Sequence, residues 1–334
     1  MSWKVLATSR AFWAHAQDGI RALEEAGCEV VRPDVFIKYS PKELIALLDG
    51  CDASLASSET YNEEVFSACP SLKIVARCGV GYDAVDVAAA TRAGVVCTNT
   101  PGAMVDAVAD FTVGLILMCA RRMGELDALV HAGGWGELSG TLVTGKTLGL
   151  VGYGQIGRAV ARRMSGFDMR ILACDPAYSA SDHTEVVMVS DLNELLAEAD
   201  FVSVHAPSTP KTARMFARAQ FSSMKPSAFF INTSRGALVD EGALIEALET
   251  ETIAGAALDV TVHEPLPVDD PLRRAPRLIL TAHNAFNARE AASRMCNKAA
   301  YQVLELMRGT APAATLNPEV YDSAALRCAR PSRP

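Results

Sequence analysis

Residues 147–176, TLGLVGYGQIGRAVARRMSGFDMRILACDP, leave few folds open to this chain. An apolar run ends in Gly152, Gly154 and Gly157 at the spacing G-x-G-x-x-G; a helical pattern follows, then a second apolar run closing on Asp175. Each residue type has a physical task. Gly152 permits a tight turn, Gly154 lets the backbone approach a ligand, and Gly157 lets helix and strand pack closely. Gln155 and Ile156 open the helix, whose unpaired N–H groups and positive end suit a pyrophosphate. Asp175, roughly 20 residues beyond the glycines, falls where a carboxylate grips the hydroxyls of a ribose. An acid there repels a 2′-phosphate, and Pro176-Ala177-Tyr178 add no arginine. Glycines alone often mark plain turns, but here strand, turn, helix and acid fall in order, so the segment is read as a dinucleotide site with NAD as the expected cofactor.

The same alternation runs along most of the chain. WKVLAT (3–8), CEVVRP, DASLAS, LKIVARC (72–78) and VVCTNTP (95–101) alternate with FWAHAQDGIRALEEAG, PKELIALLDG, NEEVFSACP and DVAAATRAG. After a Gly-rich loop at 131–140 a second series begins: KTLGLVG, ILACD, EVVMV, FVSVH, AFFINT, AGAALDV and LILTAH. Alternation of this kind predicts α/β architecture, with parallel strands and crossover helices in open sheets. Two series, in 334 residues, exceed what one core normally serves. Between them, residues 105–118 are apolar all round except for Asp106 and Asp110. This predicts a buried helix acting as an arm between domains and as part of a subunit interface. The helical pattern at 289–309 has no strand after it and is expected to return to the first domain. The expected division is a discontinuous substrate-binding domain, 1–100 plus 286–334, and an NAD-binding domain, 101–285. The last residues, rich in Ala and Pro, read as a loose tail.

Composition removes several function classes. With 50% hydrophobic and 21% charged residues this is no disordered chain. A net charge of −8 lacks the basic footprint that nucleic acid requires, although local groups can still bind small anions. The longest apolar stretch, 111–120, is too short to span a bilayer, and residues 1–10 enter a strand pattern without a signal-peptide layout. The nine cysteines are scattered with no CxxC, so neither a disulfide framework nor a metal site is expected. The reading is a soluble cytoplasmic protein with reduced thiols.

Reducing a ketone with a hydride needs a cation to polarise the carbonyl and hold a carboxylate, a proton donor, and a group that orients the donor. The second series offers one of each at strand ends, where open α/β sheets bind ligands. Arg235 follows AFFI in Asn232-Thr-Ser-Arg235-Gly236, Glu264 follows AALDV, and His283 follows LILT. Taken singly, an arginine or glutamate is more often a solvated surface group. Other histidines compete. His205, in VHAPSTP, is the nearest rival as base; it could equally line the nicotinamide pocket or be structural. His263 adjoins Glu264, and spacing does not say which of the two points inward. His15, His131 and His183 read as structural.

The runs LKIVARCGVGYDAVDVAAATRAGVVCTNTPG, DAVADFTVGLIL, GKTLGLVGYGQIG, FVSVHAPSTPKT, INTSRGALVDEGALIEAL, GAALDV, EPL and LTAHNAF span residues 50–310 in order. Together they resemble the D-isomer-specific 2-hydroxyacid dehydrogenases, a family that includes phosphoglycerate dehydrogenase, glyoxylate/hydroxypyruvate reductase and D-lactate dehydrogenase. The resemblance implies a flavodoxin-like substrate domain and a Rossmann NAD-binding domain, with the active site in the cleft and usually a homodimer. It implies that His283 is the proton donor, that Glu264 holds its imidazole, and that Arg235 binds the substrate's carboxylate and carbonyl oxygen. Backbone N–H groups of Cys78, Gly79, Val80 and Gly81 would hold the other side of the carboxylate. Asp259 would contact the nicotinamide amide, Thr233 would lie along the cofactor, and His205 is counted with them.

Some positions depart from the family pattern. Ala282 precedes His283 where proline is common, Ala109-Asp110 stands for Ala-Glu, and Asn284 and Phe286 follow the histidine. These bear on the pocket's shape and so on the substrate, read here as 3-phosphoglycerate or glyoxylate/hydroxypyruvate. Phosphoglycerate would want a basic residue in the first domain; Arg77 is a candidate whose direction the strand periodicity leaves open, and Lys38 and Lys42 cannot be placed. The chain stops short of the regulatory domain some phosphoglycerate dehydrogenases carry, so no serine feedback is expected. The alternative function is an NAD-sensing corepressor-like binding protein of the same fold.

Overall fold

The computed structural model describes residues 2–178 and 185–332, so His183 lies outside the described residues. The chain divides into two compact units, Met1–Met104 with Asn287–Pro334, and Val105–Phe286.

The first unit holds five parallel strands: β1 (Lys4–Ala7), β2 (Glu29–Val31), β3 (Ala53–Ala56), β4 (Ile74–Arg77) and β5 (Val96–Thr98). Their order is β2-β1-β3-β4-β5, the flavodoxin-like doubly wound arrangement. Every residue of β3 and β5 is buried, as expected of parallel strands covered on both faces. The helices between them start on side-chain caps: Ser40 with Glu43 forms a capping box, while Asn62 and Asp86 accept N–H groups of their own first turns. The FWAHAQDGIRALEEAG pattern is two helices, Arg10–His15 and Gln17–Glu25, broken at Ala16.

The long helix Arg289–Met307 packs on both of these. Asn297 Oδ1 accepts the Gly19 N–H at 2.8 Å, and a Cβ on Gly19 would come 2.8 Å from that of Ala300. The tail is not loose. Asn317 is fully buried, accepting the Cys97 N–H and donating to Val95 O. Arg327 donates to the carbonyls of Phe66, Cys69 and Leu72. Backbone groups left open at a helix end are thus closed by a distant arginine.

The second unit holds seven parallel strands: β6 (Thr147–Val151), β7 (Arg170–Cys174), β8 (Val186–Met188), β9 (Phe201–Val204), β10 (Phe229–Asn232), β11 (Gly255–Leu258) and β12 (Leu278–Leu280). The order β12-β11-β10-β9-β6-β7-β8 is a Rossmann sheet with one added strand. One face carries Phe216, Phe221 and Phe230, whose rings lie 4.8–6.4 Å apart. The other is covered by the helices Val105–Arg121 and Gln155–Met164, which pack on each other. Arg163 ties them, reaching Asp106 at 2.9 Å and Asp110 at 2.5 Å. The shorter acid at position 110 therefore has a local partner. Among the described residues no helix is long and apolar enough to cross a membrane. All nine thiols are unbridged, and seven are buried.

Candidate active site

The strand order of the second unit reverses at the β6/β9 pair, and ligands of such sheets bind outside the carboxyl ends there. Gly152 follows β6 at φ +97°, and a Cβ on it would lie 2.6 Å from the His205 carbonyl carbon. Only glycine lets this turn rest against the end of β9. A Cβ on Gly157 would come 2.3 Å from Gly152 O. Gly154 differs, because a Cβ there would meet nothing within 4 Å. It is also the N-cap of a ten-residue helix and supplies no capping side chain. The first N–H groups of that helix, from Gln155, Ile156 and Gly157, have no acceptor among the described residues and suit an anion.

Asp175 follows β7. Its Oδ2 accepts the Tyr153 N–H at 2.7 Å and its Oδ1 the Ala177 N–H at 2.8 Å. Each oxygen keeps acceptor capacity, so the carboxylate is fixed beside the glycine turn and can still accept a diol. Open turn, helix start and fixed carboxylate together fit NAD. Thr233, further along, shares a hydrogen bond with the Thr112 hydroxyl at 3.0 Å.

The carboxyl ends of the adjacent strands β10, β11 and β12 lead to Arg235, Glu264 and His283. His283 Nδ1 and Glu264 Oε2 are 2.7 Å apart. Glu264 Oε1 accepts the Thr261 N–H at 3.2 Å. Burial works against the Glu264 charge, but the hydrogen bond and charge of His283, the Thr261 N–H and the charge of Arg235 outweigh it. The carboxyl is held below the usual carboxylate range. His263 is exposed, and its carbonyl accepts the Thr261 hydroxyl at 2.8 Å. Of the two neighbours, Glu264 is the one that meets His283. Glu241 steadies the same turn by accepting the Val262 N–H at 2.7 Å.

Two residues that the sequence does not flag bring Arg235 here. A Cβ on Gly236 would lie 2.1 Å from the Thr261 carbonyl carbon, so the β10 loop touches the β11 turn only because residue 236 lacks a side chain. Asn232, fully buried, donates to Arg235 O and accepts from Ser234 N, both at 2.9 Å, stapling the loop. The Arg235 guanidinium is half-buried, with Nη1 on Ser234 O at 2.7 Å.

Asp259 has a task that spacing could not show. It is 1% exposed, and its Oδ1 accepts the Thr281 hydroxyl at 2.5 Å and the Asn284 N–H at 2.9 Å. Oδ2 accepts the Ala285 N–H at 2.8 Å, and Asp259 O accepts the His283 N–H at 2.7 Å. Three of the carboxylate's roughly four acceptor positions are spent on the loop that carries His283, leaving at most one for a nicotinamide amide. That loop holds His283 at φ +50°, a left-handed conformation unusual for a side chain of this size.

His205 stands apart from this network. Its Nε2 pairs with Ser203 Oγ at 2.9 Å, while Nδ1 is buried without a hydrogen-bond partner among the described residues. Burial pushes its pKa down to about 4, so the ring is neutral at physiological pH. A neutral ring with one sealed nitrogen suits a wall of the cofactor turn better than a base.

In the first unit the expected four-residue nest is narrower. The Cys78 N–H is spent on Ala56 O at 2.9 Å and the Gly79 N–H on Thr100 Oγ1 at 3.1 Å. Val80 and Gly81 are left with N–H groups that meet no acceptor among the described residues. Arg77 turns back over this loop: it donates to Cys78 O, and a Cβ on Gly79 would lie 2.6 Å from its Nη1.

Comparison with known proteins agrees with this arrangement. Residues 113–285 match the model of the D-isomer specific 2-hydroxyacid dehydrogenase NAD binding domain. A glyoxylate reductase of Korarchaeum cryptofilum is 42% identical, the match covering 84% of this chain and 87% of that one. A D-3-phosphoglycerate dehydrogenase of Methanocaldococcus jannaschii is 37% identical over 88% of this chain but 56% of its own length. The crystal structure of a glyoxylate reductase from Paecilomyes thermophila superposes with a TM-score of 0.83 at 29% identity, covering 95% of this chain and 99% of that one.

Proposed function

The chain belongs to the D-isomer-specific 2-hydroxyacid dehydrogenases, NAD-dependent oxidoreductases, and from that premise we propose that it reduces a small 2-keto acid of the glyoxylate/hydroxypyruvate class to the D-2-hydroxy acid. The observation that carries the reading is the 2.7 Å pair of His283 Nδ1 and Glu264 Oε2 at the carboxyl edge of the sheet, with the Arg235 charge acting on Glu264. Relatives named glyoxylate reductase also match over most of both chains, whereas the phosphoglycerate dehydrogenase matches over about half of itself. No relative named here is a corepressor, and an assembled donor pair favours chemistry over sensing alone.

Gly152, Gly154, Gln155, Ile156, Gly157 and Asp175 would hold NAD, which when bound as NADH supplies the hydride. Arg235 binds the substrate's carboxylate and draws electron density towards the carbonyl oxygen. Within the first unit, Val80 and Gly81 offer open N–H groups that suit an anion. His283, fixed at Nδ1 by Glu264, gives the proton on Nε2 to the oxygen as it becomes a hydroxyl. NADH-oxidation kinetics across glyoxylate, hydroxypyruvate, pyruvate, phenylpyruvate and 3-phosphohydroxypyruvate test the reading. The expected result is turnover highest with one of the first two; NADH binding without turnover of any of the five would sink it.

The unbridged, mostly buried thiols support a reducing, cytoplasmic compartment. A homodimer is proposed through the segment after the helix Val105–Arg121. It exposes Trp135 at 92% and Leu142 at 66%, and its residues Ser139, Gly140 and Thr141 line a cavity of about 790 Å³ together with Met118, Phe201 and Arg277. Large apolar side chains exposed to this degree mark interaction surfaces. Sedimentation should give twice the chain mass, and Trp135→Ser should shift it towards monomer; a wild-type monomer at micromolar concentration would exclude the dimer.

A further inference from the structure

The turn after β7 reads as purely acidic, since Asp175 is followed by Pro176, Ala177 and Tyr178. The fold brings a cation to it from elsewhere in the same unit. Arg158, the fourth residue of the helix Gln155–Met164, stands with its Cζ 5.2 Å from the centroid of the Tyr178 ring. The Tyr178 N–H donates to Asp175 O at 3.2 Å, so this ring is tied to the residue that carries the carboxylate. The Tyr153 ring meets Tyr178 edge-on with centroids 6.0 Å apart, and the Tyr153 N–H donates to Asp175 Oδ2. The Arg158 charge also reaches Tyr153, where it works against the rise that burial gives the phenol. Asp175, Tyr153, Tyr178 and Arg158 thus form one closed set of contacts at the end of β7, all within the second unit.

This set presents two opposite charges to one end of the cofactor. The Asp175 carboxylate keeps acceptor capacity for a ribose diol, and a phosphate on that ribose meets its repulsion. Arg158 answers that repulsion. A guanidinium held over an aromatic ring engages it through charge, and its five N–H donors remain for other acceptors. Half-buried rather than sealed, Arg158 keeps a planar fork that matches phosphate, and its charge is permanent at physiological pH.

We propose that Arg158 is a second determinant of cofactor choice: it pairs with the 2′-phosphate of NADPH, so that the protein binds NADPH beside NADH, with the preference for NADH set by Asp175 and moderated by Arg158. This rests on the proposed reading that Asp175 holds the ribose of NAD. Both dinucleotides carry the same pyrophosphate. Any general attraction of Arg158 for that group therefore cancels in the ratio of the two Kd values, and the 2′-phosphate alone remains in it.

The test measures Kd for NADH and NADPH by the fluorescence of the reduced nicotinamide, with melting curves as a check on folding. The proteins are the wild type, Arg158→Ala, Arg158→Lys, Asp175→Asn and the double variant of Asp175→Asn with Arg158→Ala. Arg158→Ala should raise the NADPH-to-NADH Kd ratio about tenfold at low salt, with NADH itself within about threefold, and the effect should shrink near 1 M salt. Arg158→Lys, which keeps the charge and loses the fork, should fall between. Asp175→Asn should lower the ratio on the order of 10- to 100-fold, and adding Arg158→Ala should reverse much of that gain. A ratio unmoved by Arg158→Ala in both backgrounds would overturn the assignment of Arg158, even where NADPH binds the wild type too weakly to measure. A ratio unmoved by Asp175→Asn would instead remove the reading that Asp175 holds the ribose, so the two failures are distinguishable.

Discussion

Replacing His283 with alanine should lower kcat by about 10²- to 10⁴-fold, the range a positioned general acid supplies, while the Kd for NADH stays within about threefold. The separation follows from the sheet. The residues fitted to the cofactor, Gly152 to Gly157 and Asp175, stand at the ends of β6 and β7, whereas His283 follows β12 at the opposite edge. Loss of the imidazole also strips Glu264 of its 2.7 Å partner. The freed carboxylate then stands near where negative charge develops on the carbonyl oxygen, which works against the reaction. His205→Asn gives the contrast. Burial pushes the His205 pKa down to about 4 and its ring lies outside the His283–Glu264 pair, so turnover should survive that change. Normal turnover by His283→Ala would remove this residue from the chemistry, and turnover lost only in the His205 variant would transfer the role.

The chain's architecture was readable because it is written in local pattern. Among the described residues the twelve strands fall on apolar runs of the sequence, each bounded by turn residues. What escaped is non-local. The tail looked loose by composition, but Asn317 and Arg327 anchor it to groups more than 200 residues away. The break at Ala16 depends on how two short helices meet Arg289–Met307, which periodicity cannot register. At the candidate site, strand ends pointed to Arg235, Glu264 and His283, while the contacts that position them did not show. Gly236 reads as an ordinary loop glycine until the turn pressed against it is known. The four-residue nest shrank to Val80 and Gly81 because Ala56, at the end of β3, and Thr100, just past β5, had claimed the first two N–H groups.

Asp259→Ala should be the most damaging change to the second unit that leaves the proposed chemical groups in place. The buried carboxylate accepts one hydroxyl and two backbone N–H groups from residues 281–285. Hydrogen bonds to a charged group contribute about 1.5–3 kcal/mol each, and donors left buried without acceptors cost further. The carboxylate's own burial penalty offsets part of this, so a net loss of about 3 kcal/mol is expected, or roughly 6–12 °C in Tm for a unit of this size. The kinetic effect follows from backbone strain. His283 sits at φ +50° because Asp259 O and the Oδ atoms hold the loop on both sides of it. Released, the residue relaxes towards negative φ and the imidazole leaves Glu264, lowering kcat by about 100-fold even where folding is complete. Asp259→Asn separates the two effects. Its remaining oxygen can serve Thr281 and Asn284, but its amide then opposes the Ala285 N–H donor to donor, so stability and kcat should fall between the wild type and Asp259→Ala. A folded Asp259→Ala with wild-type Tm and kcat would show that the left-handed loop holds itself, and would return Asp259 to a contact with the nicotinamide.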